Sequence, residues 1–286
     1  MSSIRPAAVA GMFYPGTPAA LGAAVRAYLA EAQSPAEAAP VLPKALIVPH
    51  AGYVYSAPVA APAFRRIAAG RGAIRRVVLL GPVHRVPVRG LALPAAEAFA
   101  TPLGTVPVDA DAVRRALEVP HVVVNAAAHA LEHSLEVQLP FLQTVLDEFS
   151  VVPFAVGDAS AAEVAAVIER LWGGPETLIV VSSDLSHYHP YAAARQIDRG
   201  TVAAILALDS ALDHEQACGA TPINGLALCA RRRHLKPELI DLRNSGDTAG
   251  DKSRVVGYAA FAFTERSQAT AQGVAVELLA EAADAG

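Results

Sequence analysis

The chain has 286 residues, 53% hydrophobic and 17% charged, which is apolar material enough for one large α/β domain or two smaller ones, and the single-domain reading is preferred. A net charge of −4 and only three lysines, Lys44, Lys236 and Lys252, argue against the broad cationic surface that nucleic-acid backbones or anionic lipids attract. Met1-Ser-Ser-Ile-Arg-Pro6 lacks a signal-peptide apolar core, no run reaches the roughly eighteen apolar residues of a bilayer span, and Cys218 and Cys229 are too few for a disulfide framework. A cytoplasmic protein with no nucleic-acid or membrane partner is expected.

In chain order, the Pro15-Gly16 turn precedes Thr17, a good N-cap, and Pro18, suited to a first helical position; a helix should run to about Gln33 with Leu21, Val25 and Leu29 on one face. Ser34–Pro40 reads as a linker. Strand-like runs then fall at 44–49, 76–81, 151–156, 177–182 and 255–263, and helix-like ones at 58–69, 109–117, 134–147, 160–172, 191–207 and 222–233, with Pro140 bending the third of these helices. This alternation predicts a single α/β domain over 5–264, its central sheet largely parallel or mixed and flanked by helices, because strands buried on both faces read as near-continuous apolar runs. The tail, 265–286, carries Val274, Leu278 and Leu279 in a helical pattern suited to a surface or oligomer contact.

Chemistry gathers at strand ends. Ala45-Leu-Ile-Val-Pro-His50, Val77-Val-Leu-Leu-Gly-Pro-Val-His84 and Val180-Val-Ser-Ser-Asp-Leu-Ser-His-Tyr-His-Pro190 each end an apolar run in polar residues, releasing His50, His84, Asp184 and His187. Ligands of open α/β sheets bind outside the carboxyl ends of strands, so these side chains should converge. Two neighbouring histidines can bind a metal with open positions, and a third protein ligand is then expected. Cys218 precedes a helix start at Thr221-Pro222, where a thiolate is favoured; a packed thiol in a tight turn is the alternative. Cys229, in an apolar helical run, reads as core, and His189 has no assigned role.

A competing signal is His129-Ala-Leu-Glu-His133, the H-x-x-E-H pattern of a zinc hydrolase, with Glu132 as base. It requires one helix under both histidines, whereas Ser134 as the N-cap of the following run would leave them outside it. Asn244–Lys252 reads as a turn, Arg231-Arg-Arg-His234 as a helix end, and no phosphate-binding glycine motif occurs.

Taken together, Ala10-Gly-Met-Phe-Tyr-Pro15, Pro49-His-Ala-Gly-Tyr53, Leu80-Gly-Pro-Val-His84, Thr101-Pro-Leu-Gly104, Glu132-His-Ser-Leu-Glu136, Ser182-Ser-Asp-Leu-Ser-His-Tyr188, Ala217-Cys-Gly219, Ser245-Gly-Asp247 and Val256-Gly-Tyr258 resemble the Memo family, known in prokaryotes as protein B of the AmmeMemoRadiSam system. The resemblance spans about Arg5 to Phe263 and implies a fold like the class III extradiol dioxygenases. It implies metal ligands His50, His84 and Cys218, an acid/base role for His187 with Asp184 beside it, and Tyr53 and His133 lining the pocket. Ala57, Val83 and Ala220-Thr221 depart from the family pattern without removing a ligand. A thiolate is softer than the carboxylate of true dioxygenases and suits iron or copper, with zinc also admitted. The expected function is a metal-dependent redox or oxygenase-like activity on an unknown small-molecule or peptide ligand, with AmmeMemoRadiSam system proteins as partners. The alternative is a non-catalytic metal- or peptide-binding protein retaining a vestigial dioxygenase-like pocket.

Overall fold

Apolar runs bounded by polar turns settle into strands here because each is covered on both sides. The computed structural model describes residues 3–32, 41–248 and 250–265, so the expected linker and the expected helix of the tail lie outside the described residues. In chain order come β1 (Ile4–Arg5), α1 (Pro18–Glu31), β2 (Ala45–Val48), α2 (Tyr53–Ile67), β3 (Arg76–Pro82), β4 (Leu91–Leu93), β5 (Ala98–Thr101) and β6 (Gly104–Pro107). α3 (Ala110–Ala116), β7 (Val122–Val124), α4 (Ala126–Ala130), α5 (Leu139–Val145), β8 (Ser150–Val156), α6 (Ala161–Arg170) and β9 (Thr177–Ser182) follow. The described chain closes with β10 (His187–His189), α7 (Tyr191–Leu206), α8 (Ala220–Arg232), β11 (Lys236–Asn244), α9 (Ser245–Thr248) and β12 (Val255–Thr264).

The result is a single α/β domain around a mixed sheet of order β10-β12-β2-β9-β3-β8-β4-β7, with β11 on the other edge of β12 and a small separate sheet, β1-β5-β6. β2, β9, β3 and β8 are mutually parallel, and the flanking β12 and β4 run antiparallel to them. Period-two alternation sorts their side chains between two cores. Leu46, Val48, Val77 and Leu79 face one layer, with Phe64 of α2 and Phe141 of α5. Ala45, Ile47, Val78 and Leu80 face the other, with Ile168 of α6 and Leu226 of α8. Each buried Leu, Ile, Val or Phe contributes roughly 1.5–3 kcal/mol, so the sheet is a rigid platform for whatever its strand ends carry.

Thr17 caps α1 through the Ala20 N–H, and Ser160 and Glu163 form a reciprocal capping box on α6. Three readings need correction. α2 begins at Tyr53 rather than 58 and keeps Pro58 and Pro62 inside it; burial of Tyr53, Ala57, Val59 and Phe64 outweighs the local cost of the prolines. The helix expected over 134–147 is a 3-10 turn at Glu136–Gln138 followed by α5, because the Ser134 hydroxyl donates to Pro82 O instead of capping, and Pro140 falls in the first turn of α5, where it bends nothing. The short strands β1, β4–β7 and β10, and the nine-residue β11, were not expected; β11 is a charged edge strand without an apolar run. No helix among the described residues is long and apolar enough to cross a membrane.

Candidate metal centre

β2, β9 and β3 are neighbours in the sheet, so the residues just past their carboxyl ends meet. His50, Asp184 and His84 follow these three strands, respectively, and the Asp184 Oδ1 accepts the His50 backbone N–H at 2.7 Å. The His50 and His84 rings lie 5.3 Å apart, centroid to centroid. His133, from the segment between α4 and α5, stacks on His84 at 4.6 Å and sits 5.4 Å from His50. One donor nitrogen from each of the three lies within 4.8 Å of the others.

Hydrogen bonds behind two of these rings fix their tautomers. The Ser182 hydroxyl donates its one hydrogen to Ser134 O at 2.6 Å, so toward His50 Nδ1, 2.9 Å away, it can only accept. His50 therefore carries its proton on Nδ1 and offers the Nε2 lone pair. Gln138 steadies Ser182 by donating to its oxygen at 2.8 Å and to Pro49 O at 2.9 Å. His84 Nδ1 likewise donates to Glu132 Oε1 at 2.9 Å, leaving its Nε2 as a donor atom. Glu132 also accepts the backbone N–H groups of His84, His133 and Ser134. Burial alone would raise the Glu132 carboxyl, but these bonds, the His84 ring first, hold it down at about 2. Such outer partners orient metal-ligating imidazoles and raise their basicity. Burial, then the neighbouring His84, pushes His50 down to about 3. Burial, then His50, pushes His133 down to about 4, so all the chemistry of these two rings at neutral pH is that of neutral imidazole.

Cys218 Sγ lies 3.3 Å from His50 Nε2 and accepts the Asp184 N–H at 3.3 Å. Cys218 thus touches one member of the histidine group; the mutually close set is His50, His84 and His133. Burial and the Asp184 charge push the thiol up to about 12, so the thiolate expected from the nearby start of α8 does not form unaided. Burial also raises the Asp184 carboxyl, against the His50 N–H bond that favours its charge.

His187, in β10, donates from Nδ1 to Leu185 O at 2.8 Å, which leaves its Nε2 outside that bond. It lines an open cleft of about 680 Å³ together with His84, Cys218, Tyr188 and His214. His189 sits in the same short strand and is not among the residues of this cleft. Tyr53 is buried, its hydroxyl donating to Val137 O at 2.7 Å and its ring against Phe141 at 5.2 Å. His129 is turned away from the centre: its Nε2 meets Ala92 O at 2.8 Å, and α4 ends at Ala130, so no helix carries His129 and His133 on one face. The hydrolase geometry is therefore absent. Glu132, Ser182 and Gln138 orient these rings from behind, a role that no motif in the sequence assigns to them: Glu132 stands in the H-x-x-E-H pattern, yet it serves His84 and not a helical histidine pair.

The fold and site define a single-domain α/β protein with a candidate metal centre at the carboxyl ends of adjacent parallel strands. The chain belongs to the Memo family, whose profile, described as Memo-like protein, matches residues 5–262. It is 36% identical over 273 residues to a MEMO1 family protein of Aquifex aeolicus, covering 91% of this chain and 99% of that one. A MEMO1 family protein of Metallosphaera sedula is 35% identical over 233 residues, covering 77% and 82%. The crystal structure of an uncharacterized protein from Escherichia coli K12 superposes with a TM-score of 0.51 at 16% identity over 76% of this chain and 98% of that one, which is a likeness of fold.

Proposed function

We propose that this chain is a metal-dependent redox or oxygenase-like protein whose metal is held by His50, His84 and Cys218, with His133 closing the group. The observation that carries the reading is the set of three imidazole nitrogens within 4.8 Å of one another, two of them freed as lone-pair donors by buried partners on the far side of the ring. The three histidine donors lie close enough to share such a group, and Cys218 meets it at His50. In a tetrahedral site with metal–nitrogen and metal–sulfur bonds of normal length, nitrogen and sulfur stand roughly 3.6 Å apart, close to the 3.3 Å between His50 Nε2 and Cys218 Sγ. A thiol raised by burial loses its proton on ligation, which couples affinity to pH.

Bound there, iron or copper would supply redox chemistry and zinc Lewis acidity. The chain's own residues supply the rest. His187, its Nδ1 committed to Leu185 O, offers Nε2 as a proton acceptor to a substrate in the cleft, and Asp184 ties the His50 backbone to the Cys218 loop. Partners from the AmmeMemoRadiSam system follow from family membership as part of this proposal. Cobalt(II) titration tests the ligand set, because a thiolate ligand gives an intense near-ultraviolet charge-transfer band. Wild type is expected to show the band at one cobalt per chain, and Cys218→Ser to bind cobalt without it. A wild-type complex lacking the band would remove the thiolate; no saturable binding would remove the centre.

A further inference from the structure

Tyr188 is held in a conformation that its residue type disfavours, in a place where it packs into neither core. Its φ is +61°, in the left-handed region that a bulky side chain enters only at a cost. The cause is a bulge in β10. His187 stands opposite Val256 of β12 and His189 opposite Val255, so Tyr188 is the extra residue between them. A bulge takes its side chain out of the alternation of the strand and re-aims it, and here the ring is 64% exposed.

The ring lines the cleft of about 680 Å³ that His84, His187 and Cys218 also line. It meets the His187 ring edge to face at 5.7 Å, and the guanidinium of Arg254, which is not a residue of the cleft, covers it at 5.3 Å. Val83, Pro87, Val88 and Val156 supply aliphatic surface to the same cleft. No lysine or arginine lines it. Of its two carboxylates, Asp158 is paired with Arg89 at 4.0 Å, which leaves Glu215 alone, so the lining is not matched to an anion. In small-molecule sites of this form a few polar groups set orientation while apolar and aromatic surface supplies the contact. Backbone strain kept beside a reactive centre is a mark of a contact set in advance of its ligand.

We propose that Tyr188 is a specificity residue of this cleft: its ring, preset by the bulge, packs on an uncharged apolar portion of the substrate, a ring or a branched alkyl group, whose other side meets the aliphatic lining. The inference rests on reading the cleft as the substrate's approach to the metal centre. An aromatic ring brings a large contact area, and a ring whose backbone is already fixed has little freedom left to lose when the ligand arrives.

NMR titration of the full-length chain in EDTA with phenol and with cyclohexanol tests this. Saturable shifts of the Val88 and Val156 methyl signals are expected, with dissociation constants on the order of millimolar for probes of this size. Tyr188→Ala should weaken binding about threefold or more, and Tyr188→Phe should keep it. Tyr188→Gly should lose binding as the alanine variant does yet melt no lower than wild type, because glycine adopts a φ of +61° without strain; a ring kept for stability would not behave so. Since the probes are titrated without metal, a wild type lacking the cobalt–thiolate band would fail the metal centre and not this contact. No saturable shift in wild type, wild-type affinity in Tyr188→Ala, or a Tyr188→Gly variant that melts well below wild type would overturn the proposal.

Discussion

Replacing Glu132 by Gln removes one oxygen and the charge while keeping the shape, and four hydrogen bonds allow its effect to be worked out. Oε1 accepts from the His84 ring and from the His133 and Ser134 N–H groups, and Oε2 from the His84 N–H alone. The substituted amide does least damage with its NH2 at the Oε2 position, facing the His84 N–H, donor against donor. One charge-assisted bond is lost and the others become neutral, which costs about 2 kcal/mol. In a domain of this size that is a fall of about 4 °C in melting temperature. The larger effect is on metal. An imidazole that donates to an amide oxygen is less basic and less firmly held than one that donates to a carboxylate, and loss of such a partner lowers metal affinity roughly 10–100-fold. Thermal melts of the EDTA-treated chain read the first quantity, and competition against a chromophoric chelator reads the second. A variant with wild-type metal affinity and a normal melt would refute the assignment of Glu132 as the residue that orients His84.

Other consequences follow from packing and protonation. An alanine Cβ at Gly257 would lie 2.1 Å from the Asp198 Oδ2, and the carboxylate is held by Ser186 beside His187, so Gly257→Ala should destabilise by on the order of 1–3 kcal/mol in urea titration; an unchanged midpoint would show that Asp198 can swing free. Arg5 and Glu136 form an ion pair, 5% and 0% exposed, and Arg5 also donates to His129 O and Glu132 O. Arg5→Ala leaves a buried carboxylate without its cation and should cost about 3–5 kcal/mol, whereas a loss below about 1 would contradict the pairing. Stability of the metal-free chain should depend on pH through its buried histidines, whose values fall from 6.5 to about 3 for His50 and about 4 for His129 and His133. Below 6.5 the unfolded chain takes up protons that the folded chain refuses, so stability is complete above 6.5 and declines as pH falls toward 4, by about 2 kcal/mol for each histidine at pH 5. Equal urea midpoints at pH 7 and pH 5 would be inconsistent with this burial.

The parallel core was legible because strands covered on both faces must be apolar throughout: β2, β3, β8 and β9 fall where their runs predict. His50, His84 and Asp184 were legible for the same reason, since each is among the first polar residues released after such a run. The remainder is tertiary. Nothing in a five-residue H-x-x-E-H pattern states whether its residues lie on a helix or in a loop; Arg5 binds the carbonyls of His129 and Glu132, and the chain turns so that Glu132 reaches His84 while His129 faces Ala92. The Cys218 thiol was expected to be acidic from its place before α8, but desolvation and the Asp184 charge dominate a two-residue distance to the helix start. β11 pairs along almost all of β12 while reading as polar, because an edge strand need satisfy only one neighbour.

Elemental analysis of the chain after anaerobic reconstitution with iron(II) or copper(I), followed by desalting, tests the centre most directly. The account predicts one metal per chain in wild type and little or none in His50→Ala and His84→Ala, both still folded. Wild type without stoichiometric metal, or retention of a full equivalent after loss of either histidine, would contradict it.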